Sequence, residues 1–284
     1  MSFPQVAQSG RQRSILVIAL CLASSIATAQ TADTPAKAEA PAPGPDKIDI
    51  AKKLANPIAN MVSVPFQYNW DQGTGADGKG HDQQLLVQPV IPISLKGGDN
   101  FIVRPIVTTI WQSAVDGFTG YGLGNVQLET FYAPNTNSSL IWGVGPYLSL
   151  PAGSSGHFGS QQTGAGITGV ILDRAGPWTY GLLAFRSWSA GGDPVSGTQN
   201  NFFFQPFVAY VTKDAWTFTL NTQSNYNFDV HRTQNPINAQ ISKLVVTDGL
   251  PISYEVGVRY NATSIPGGPQ GWGARAGITF VFEK

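Results

Sequence analysis

From residue 59 onward, apolar and polar side chains alternate with a period of two, in segments of about ten to fourteen residues. The clearest run is 216–228, where Trp216, Phe218, Leu220, Thr222, Tyr226 and Phe228 interleave with Thr217, Thr219, Asn221, Gln223, Asn225 and Asn227. Val62, Val64, Phe66, Tyr68 and Trp70 alternate in the same way with Ser63, Gln67, Asn69 and Asp71. So do Ile252, Tyr254, Val256, Val258 and Tyr260 with Ser253, Glu255, Arg259 and Asn261. A strand turns successive side chains to opposite faces, so each segment has one greasy and one wet face. That leaves a β-sandwich or a closed barrel.

The spacing predicts twelve strands, near 59–72, 82–95, 101–112, 122–133, 139–150, 161–172, 177–189, 201–212, 216–228, 236–246, 251–262 and 272–282. The connections at 73–81, 113–121, 151–160, 190–200, 229–235 and 263–271 are longer than those at 96–100, 134–138, 173–176, 213–215 and 247–250. Alternating long and short loops around an even number of strands is the asymmetry of a bacterial outer-membrane barrel. In hydrocarbon every backbone amide needs a partner within the protein, and a closed sheet supplies one. The expected fold is therefore all-β: a single closed antiparallel transmembrane β-barrel of about twelve strands, with a short N-terminal helix.

Tryptophan placement supplies a separate test, because an indole prefers the headgroup boundary. Trp70, Trp111, Trp188 and Trp272 fall near the long-loop ends of their strands, and Trp142, Trp178 and Trp216 near the short-loop ends. All seven are expected in interfacial girdles. Only 12% of residues are charged, about half the share of an ordinary soluble domain. Seventeen basic residues balance seventeen acidic ones, which disfavours a nucleic-acid partner.

Residues 1–29 read as a secretory signal, with Arg11 and Arg13 before an apolar stretch and Ala27-Thr28-Ala29 as a cleavage site. Cys21, the single cysteine, lies within it. Residues 30–46, rich in Ala and Pro, are expected to be a flexible tether. Residues 47–58 should form a short amphipathic helix, N-capped by Asp46, ended by Pro57 and resting at the barrel rim. Residues 59–284 are expected to form the barrel. Pro65, Pro89, Pro92, Pro105, Pro146 and Pro206 fall inside expected strands, where each removes a ladder donor; bulges or breaks are expected there. In the last strand, Arg275-Ala276-Gly277-Ile278-Thr279-Phe280-Val281-Phe282 resembles the closing motif of outer-membrane barrels, with Gly277, Phe280 and Phe282 as the signal read by the barrel insertion machinery; Glu283 and Lys284 follow it.

Several short motifs are shared with a known family: Asn56-Pro57, Pro65-Phe66, Gln88-Pro89-Val90-Ile91-Pro92, Gly122-Leu123-Gly124-Asn125, Trp142-Gly143-Val144-Gly145-Pro146, Gly176-Pro177-Trp178-Thr179-Tyr180-Gly181, Gln205-Pro206-Phe207, Gly268-Pro269 and Gly271-Trp272-Gly273. Through them, residues 46–284 resemble the bacterial outer-membrane proteins mislabelled neuromedin U, a name taken from an animal peptide. They are more distantly similar to outer-membrane channels grouped with the meta-pathway of phenol degradation. The resemblance implies a Gram-negative outer-membrane barrel with a transport role and brings no binding motif with it.

Twelve strands should enclose a narrow lumen, between the filled interior of eight-stranded barrels and the open channel of sixteen-stranded ones. The phases turn Arg104, Gln127, Glu129, Asn221, Gln223, Gln240, Glu255, Arg259 and Arg275 inward, and Arg186 with them, although its strand has an ambiguous phase. An Arg or Lys on the lipid side would cost about 2–4 kcal/mol at mid-depth. Opposed Arg and Glu side chains would either orient a polar solute or pair with each other and fill the interior.

The expected function is passive diffusion of small solutes through a narrow polar lumen in the bacterial outer membrane, with membrane lipid as a partner and no cofactor. One alternative is a structural or adhesive barrel acting through its outer loops. Another is an outer-membrane hydrolase, for which His81, His157 and His231 lie in expected long loops, His157 beside Ser154, Ser155 and Ser160. No nucleophile arrangement is recognisable there. Asp77, His81 and Asp82 could touch a metal, yet their spacing matches no known site.

Overall fold

The computed structural model describes residues 46–136, 138–193 and 197–282. The signal segment, Cys21, residues 30–45 of the tether, Glu283 and Lys284 lie outside the described residues.

Twelve strands cross in chain order: β1 (Val62–Thr74), β2 (Gly80–Val87, resuming as Ile91–Ser94), β3 (Asn100–Val115), β4 (Phe118–Leu123 and Val126–Ala133), β5 (Ile141–Leu150), β6 (Gln162–Ala175), β7 (Trp178–Gly192), β8 (Asn201–Val211), β9 (Trp216–Thr222 and Ser224–Asn227), β10 (Arg232–Thr247), β11 (Leu250–Thr263) and β12 (Gly271–Phe282). Each pairs antiparallel with the next. β12 returns to β1, from Val62 opposite Phe282 to Asp71 opposite Gly273, and closes the cylinder. Closure leaves no edge strand with unpaired amides.

Period two then sets the faces. On β9, Trp216, Phe218 and Leu220 are exposed on the outside at 41%, 49% and 51%, whereas Thr217, Thr219 and Asn221 face inward. The same alternation runs round the barrel, with Val256, Val258 and Ile167 outward and Ser149, Asn238 and Arg275 buried within.

One connection expected to be long, 113–121, is a tight turn instead. Asp116-Gly117 joins Val115 to Phe118 directly, with φ of 49° and 80°. Positive φ at both central residues is the demand of a type I′ hairpin, which Asp-Gly meets at low cost. Asp248-Gly249, with φ of 50° and 82°, makes the same turn at the opposite end of the barrel, in the 247–250 connection expected to be short. Strands β3 and β4 therefore extend into segment 113–121, which the spacing assigns to a loop, and β10, starting at Arg232, takes up part of 229–235.

The prolines behave differently from expectation. Only Pro89 sits in a break, between the two pieces of β2. Register runs uninterrupted through Pro65, Pro92, Pro105, Pro146 and Pro206. The missing N–H removes one bond toward one neighbour and leaves the ladder on the other side whole.

The helix α1 (Lys47–Leu54) starts at Asp46, whose side chain accepts a hydrogen bond from the Ile48 N–H at 2.9 Å. It ends short of residue 58, because the Asn56 side chain captures the Ile58 N–H at 3.0 Å and Pro57 disfavours helical geometry in the residue before it. Its seat also differs from the expected rim. Ile50 and Ala51 are buried against Val211, Leu244 and Val281, on the inner faces of β8, β10 and β12. Ile58 is buried against Ile102, Phe131, Val170 and Leu183, on the inner faces of β3, β4, β6 and β7. Residues 50–58 thus reach across the short-turn mouth of the barrel from one wall to the other.

Candidate functional site

The interior is a series of adjoining cavities. The lowest, of about 240 Å³, lies between α1 and the wall, with Gln88, Arg104, Gln205 and Glu255 in its lining. A middle chamber of about 270 Å³ shares Gln88, Arg104 and Gln205 with it. An outer cavity of about 610 Å³ shares Asn225 and Gln234 with the middle one. Each volume far exceeds the roughly 10–15 Å³ that one water needs, so side chains leave this interior only partly filled.

Most of the charges within it are held by polar neighbours. On one wall Arg104 donates to Glu129 at 2.8 Å and to Gln88 at 2.9 Å, and the Glu129 carboxylate is 2% exposed. On the other, Asp71 accepts from Arg259 at 3.2 Å and from Asn261 at 2.9 Å. Arg275 on β12 donates to Asn69 of β1 at 2.8 Å and to Gln223 of β9, also at 2.8 Å. The second of these bonds passes β10 and β11 and braces the wall from inside. Gln127, Asn221, Gln240 and Glu255 also face the cavities. Strand register dictates these meetings: Arg104 lies opposite Glu129, and Asn69 opposite Arg275.

Arg186 does not join them. It pairs with Phe202 and Ile167 on the outward face, between the inward Phe185 and Ser187. Its guanidinium lies 4.1 Å from the Phe228 ring and 4.6 Å from the Trp188 ring, and it donates to the Asn201 carbonyl, the Ser187 carbonyl and the Asn200 side chain. Aromatic faces and carbonyls near the outer end satisfy a charge that bare hydrocarbon would penalise.

The seven tryptophans all stand on the outward side of their strands, near strand ends. Trp188 and Trp272 are 51% and 60% exposed. Trp70 stacks on His81, Trp111 lies opposite Gln83 and Tyr121, and Lys243 sits over Trp216. Trp142 and Trp178, like Trp216, occupy outward positions at the short-turn end. Phe280 and Phe282 also point outward, Phe280 edge-on to Phe66, while Gly277 faces in.

Sequence reasoning missed an inward aromatic stack. Tyr147 of β5, Phe185 of β7 and Phe203 of β8 lie nearly parallel, with ring centroids 4.0 Å and 5.0 Å apart. Alternation could have found it, since Phe203 sits between the outward Phe202 and Phe204. Asp71, buried beside Asp82 on β1 and β2, was likewise on the wet face yet outside the lumen candidates, and Asp82 was weighed only as a metal ligand.

At the outer mouth the 151–160 segment folds inward. Ser154 exchanges hydrogen bonds with the Leu123 backbone at 2.9 Å and 3.0 Å, and Phe158 is buried. Gly122 makes room, because a Cβ there would lie 2.0 Å from the Ser154 hydroxyl and 2.3 Å from the Phe158 ring. The remaining hydrolase candidates are occupied locally. His157 stacks on Phe118, Ser155 accepts from the His157 N–H, and Ser160 donates to the Gly197 carbonyl. Among the described residues, no three His, Cys, Asp or Glu side chains group to hold a metal.

The closed sheet, greasy exterior and polar interior define an outer-membrane β-barrel. An outer membrane channel from Pseudomonas putida F1 shares the fold, with a TM-score of 0.62 at 12% identity over 78% of this chain and 96% of that one. The KdgM porin in complex with disordered oligogalacturonate gives a TM-score of 0.49 at 15% identity over 78% of this chain and 100% of that one. The outer membrane phospholipase of Salmonella typhi gives 0.46 at 11% identity over 84% and 98%. Likeness this remote establishes the fold alone. No protein-family model matches the chain, and no curated protein matches it.

Proposed function

We propose that this barrel is an outer-membrane channel for passive diffusion of small solutes. The observation that carries the reading is the run of three adjoining cavities inside a cylinder whose outer surface is apolar. A polar, partly empty interior has no structural use in a barrel that only anchors loops, and it lowers the barrier for a hydrated solute. Gly277, Phe280 and Phe282 serve in this reading as the mark recognised by the insertion machinery.

Purified protein in planar bilayers should conduct in discrete steps. Under a salt gradient, Glu129→Gln leaves Arg104 without its carboxylate and should move the reversal potential toward anion selectivity. Arg259→Ala leaves Asp71 without its guanidinium and should move it the other way. Unchanged selectivity in both would remove the lining role of these pairs. No conductance from the wild type or from a variant lacking residues 47–58 would remove the channel reading itself.

A further inference from the structure

We propose that the middle chamber passes neutral, hydroxyl-rich solutes of about pyranose size in preference to ions of the same size. The inference rests on the channel reading above and names the solute class for that lumen. Nine of the nineteen residues lining the chamber are Asn or Gln, and only Arg104, Glu129 and Arg259 carry charge. Arg104 and Glu129 pair with each other and Arg259 pairs with Asp71, so these charges offer an entering ion little unpaired counter-charge to offset the water it sheds.

The amides are a different matter. The side chains of Gln127, Gln205 and Gln234 line the chamber without a hydrogen bond to another described residue, and the Asn225 side-chain oxygen is buried without a partner. A primary amide offers donors and an acceptor together, and a hydroxyl group is likewise both. Hydroxyls can therefore replace their hydration on these side chains with no change in net charge. Beside Gln205, which pairs across the strands with Leu183, Leu183, Phe185 and Phe203 form an apolar strip backed by Tyr147, which suits the C–H face of a sugar ring. Amides and an adjoining apolar strip in one chamber match an amphipathic neutral ring better than a small inorganic ion.

The test uses the full chain in proteoliposomes with D-glucose, gluconate and glucosamine at equal concentration. Glucose should enter several-fold faster than either charged analogue. Gln127→Leu with Gln205→Leu should slow glucose several-fold while chloride conductance holds. Gln234→Glu, which keeps size and polarity, should lower gluconate entry and raise glucosamine entry, and it guards against a double variant that fails to insert. Gluconate or glucosamine keeping pace with glucose, or glucose flux indifferent to the amide changes, would overturn the proposal. Ions passing while glucose is excluded would defeat it and leave the channel standing; passage of nothing at all would defeat both.

Discussion

Removing residues 47–58 should raise single-channel conductance several-fold. The segment lies across the short-turn mouth, with Ile50 and Ala51 against β8, β10 and β12 and Ile58 against the opposite wall. It also forms one side of the 240 Å³ cavity, so without it that cavity would open into the mouth. The helix is held by few apolar groups, at about 1.5–3 kcal/mol for each fully buried Ile, and its surface ion pair, Lys53 with Asp49 at 2.7 Å, adds little. Ile50→Asp with Ala51→Asp should give a similar gain without deletion, since a carboxylate cannot stay in that apolar seat unpaired. Heat-modifiable migration on gels would show that both variants still form barrels. Conductance equal to wild type in both would mean that the helix does not limit flow.

The second large effect concerns the outer surface. Leu220→Arg should destabilise the inserted barrel by about 2–4 kcal/mol, the cost of an arginine near mid-depth on the lipid face. Leu220 is 51% exposed and lies among the outward Val208 and Ala239, four residues beyond Trp216. Thr219→Arg, one residue away, turns its side chain into the lumen beside Gln240 and should cost far less. Denaturant titration in detergent or lipid would read the difference. Equal costs at 219 and 220 would mean that neighbouring positions do not face different solvents.

Much of this was legible because a strand's two faces leave little freedom: once the period is two, the alternation places Trp216 outside and Asn221 inside. Arg104 and Glu129 needed only that rule to face inward, though it could not say that they would touch. Their contact follows from register, which depends on turns. The Asp-Gly pairs at 116–117 and 248–249 carried that information, since each dictates a two-residue hairpin. Length alone concealed it at 113–121. Arg186 was misplaced because avoidance of lipid by charge was applied without its aromatic neighbours: Trp188 and Phe228 cover the guanidinium from outside. The seat of α1 was illegible for another reason. Amphipathicity names the face a helix buries and not the surface that receives it, and the receiving residues Val211, Leu244 and Val281 come from three distant strands. The aromatic stack was hidden by the same dispersal, across β5, β7 and β8.

The most direct measurement is cysteine substitution, one position at a time, along 216–222 in a Cys21→Ser background, with the protein in lipid. Cysteines at 217, 219 and 221 should react with a small water-soluble thiol reagent, and those at 216, 218 and 220 should instead carry fluorophores quenched by lipid-borne nitroxide. Reaction at every position, protection at every position, or quenching at 217, 219 and 221 would contradict the assignment of one face to lipid and the other to an enclosed aqueous path.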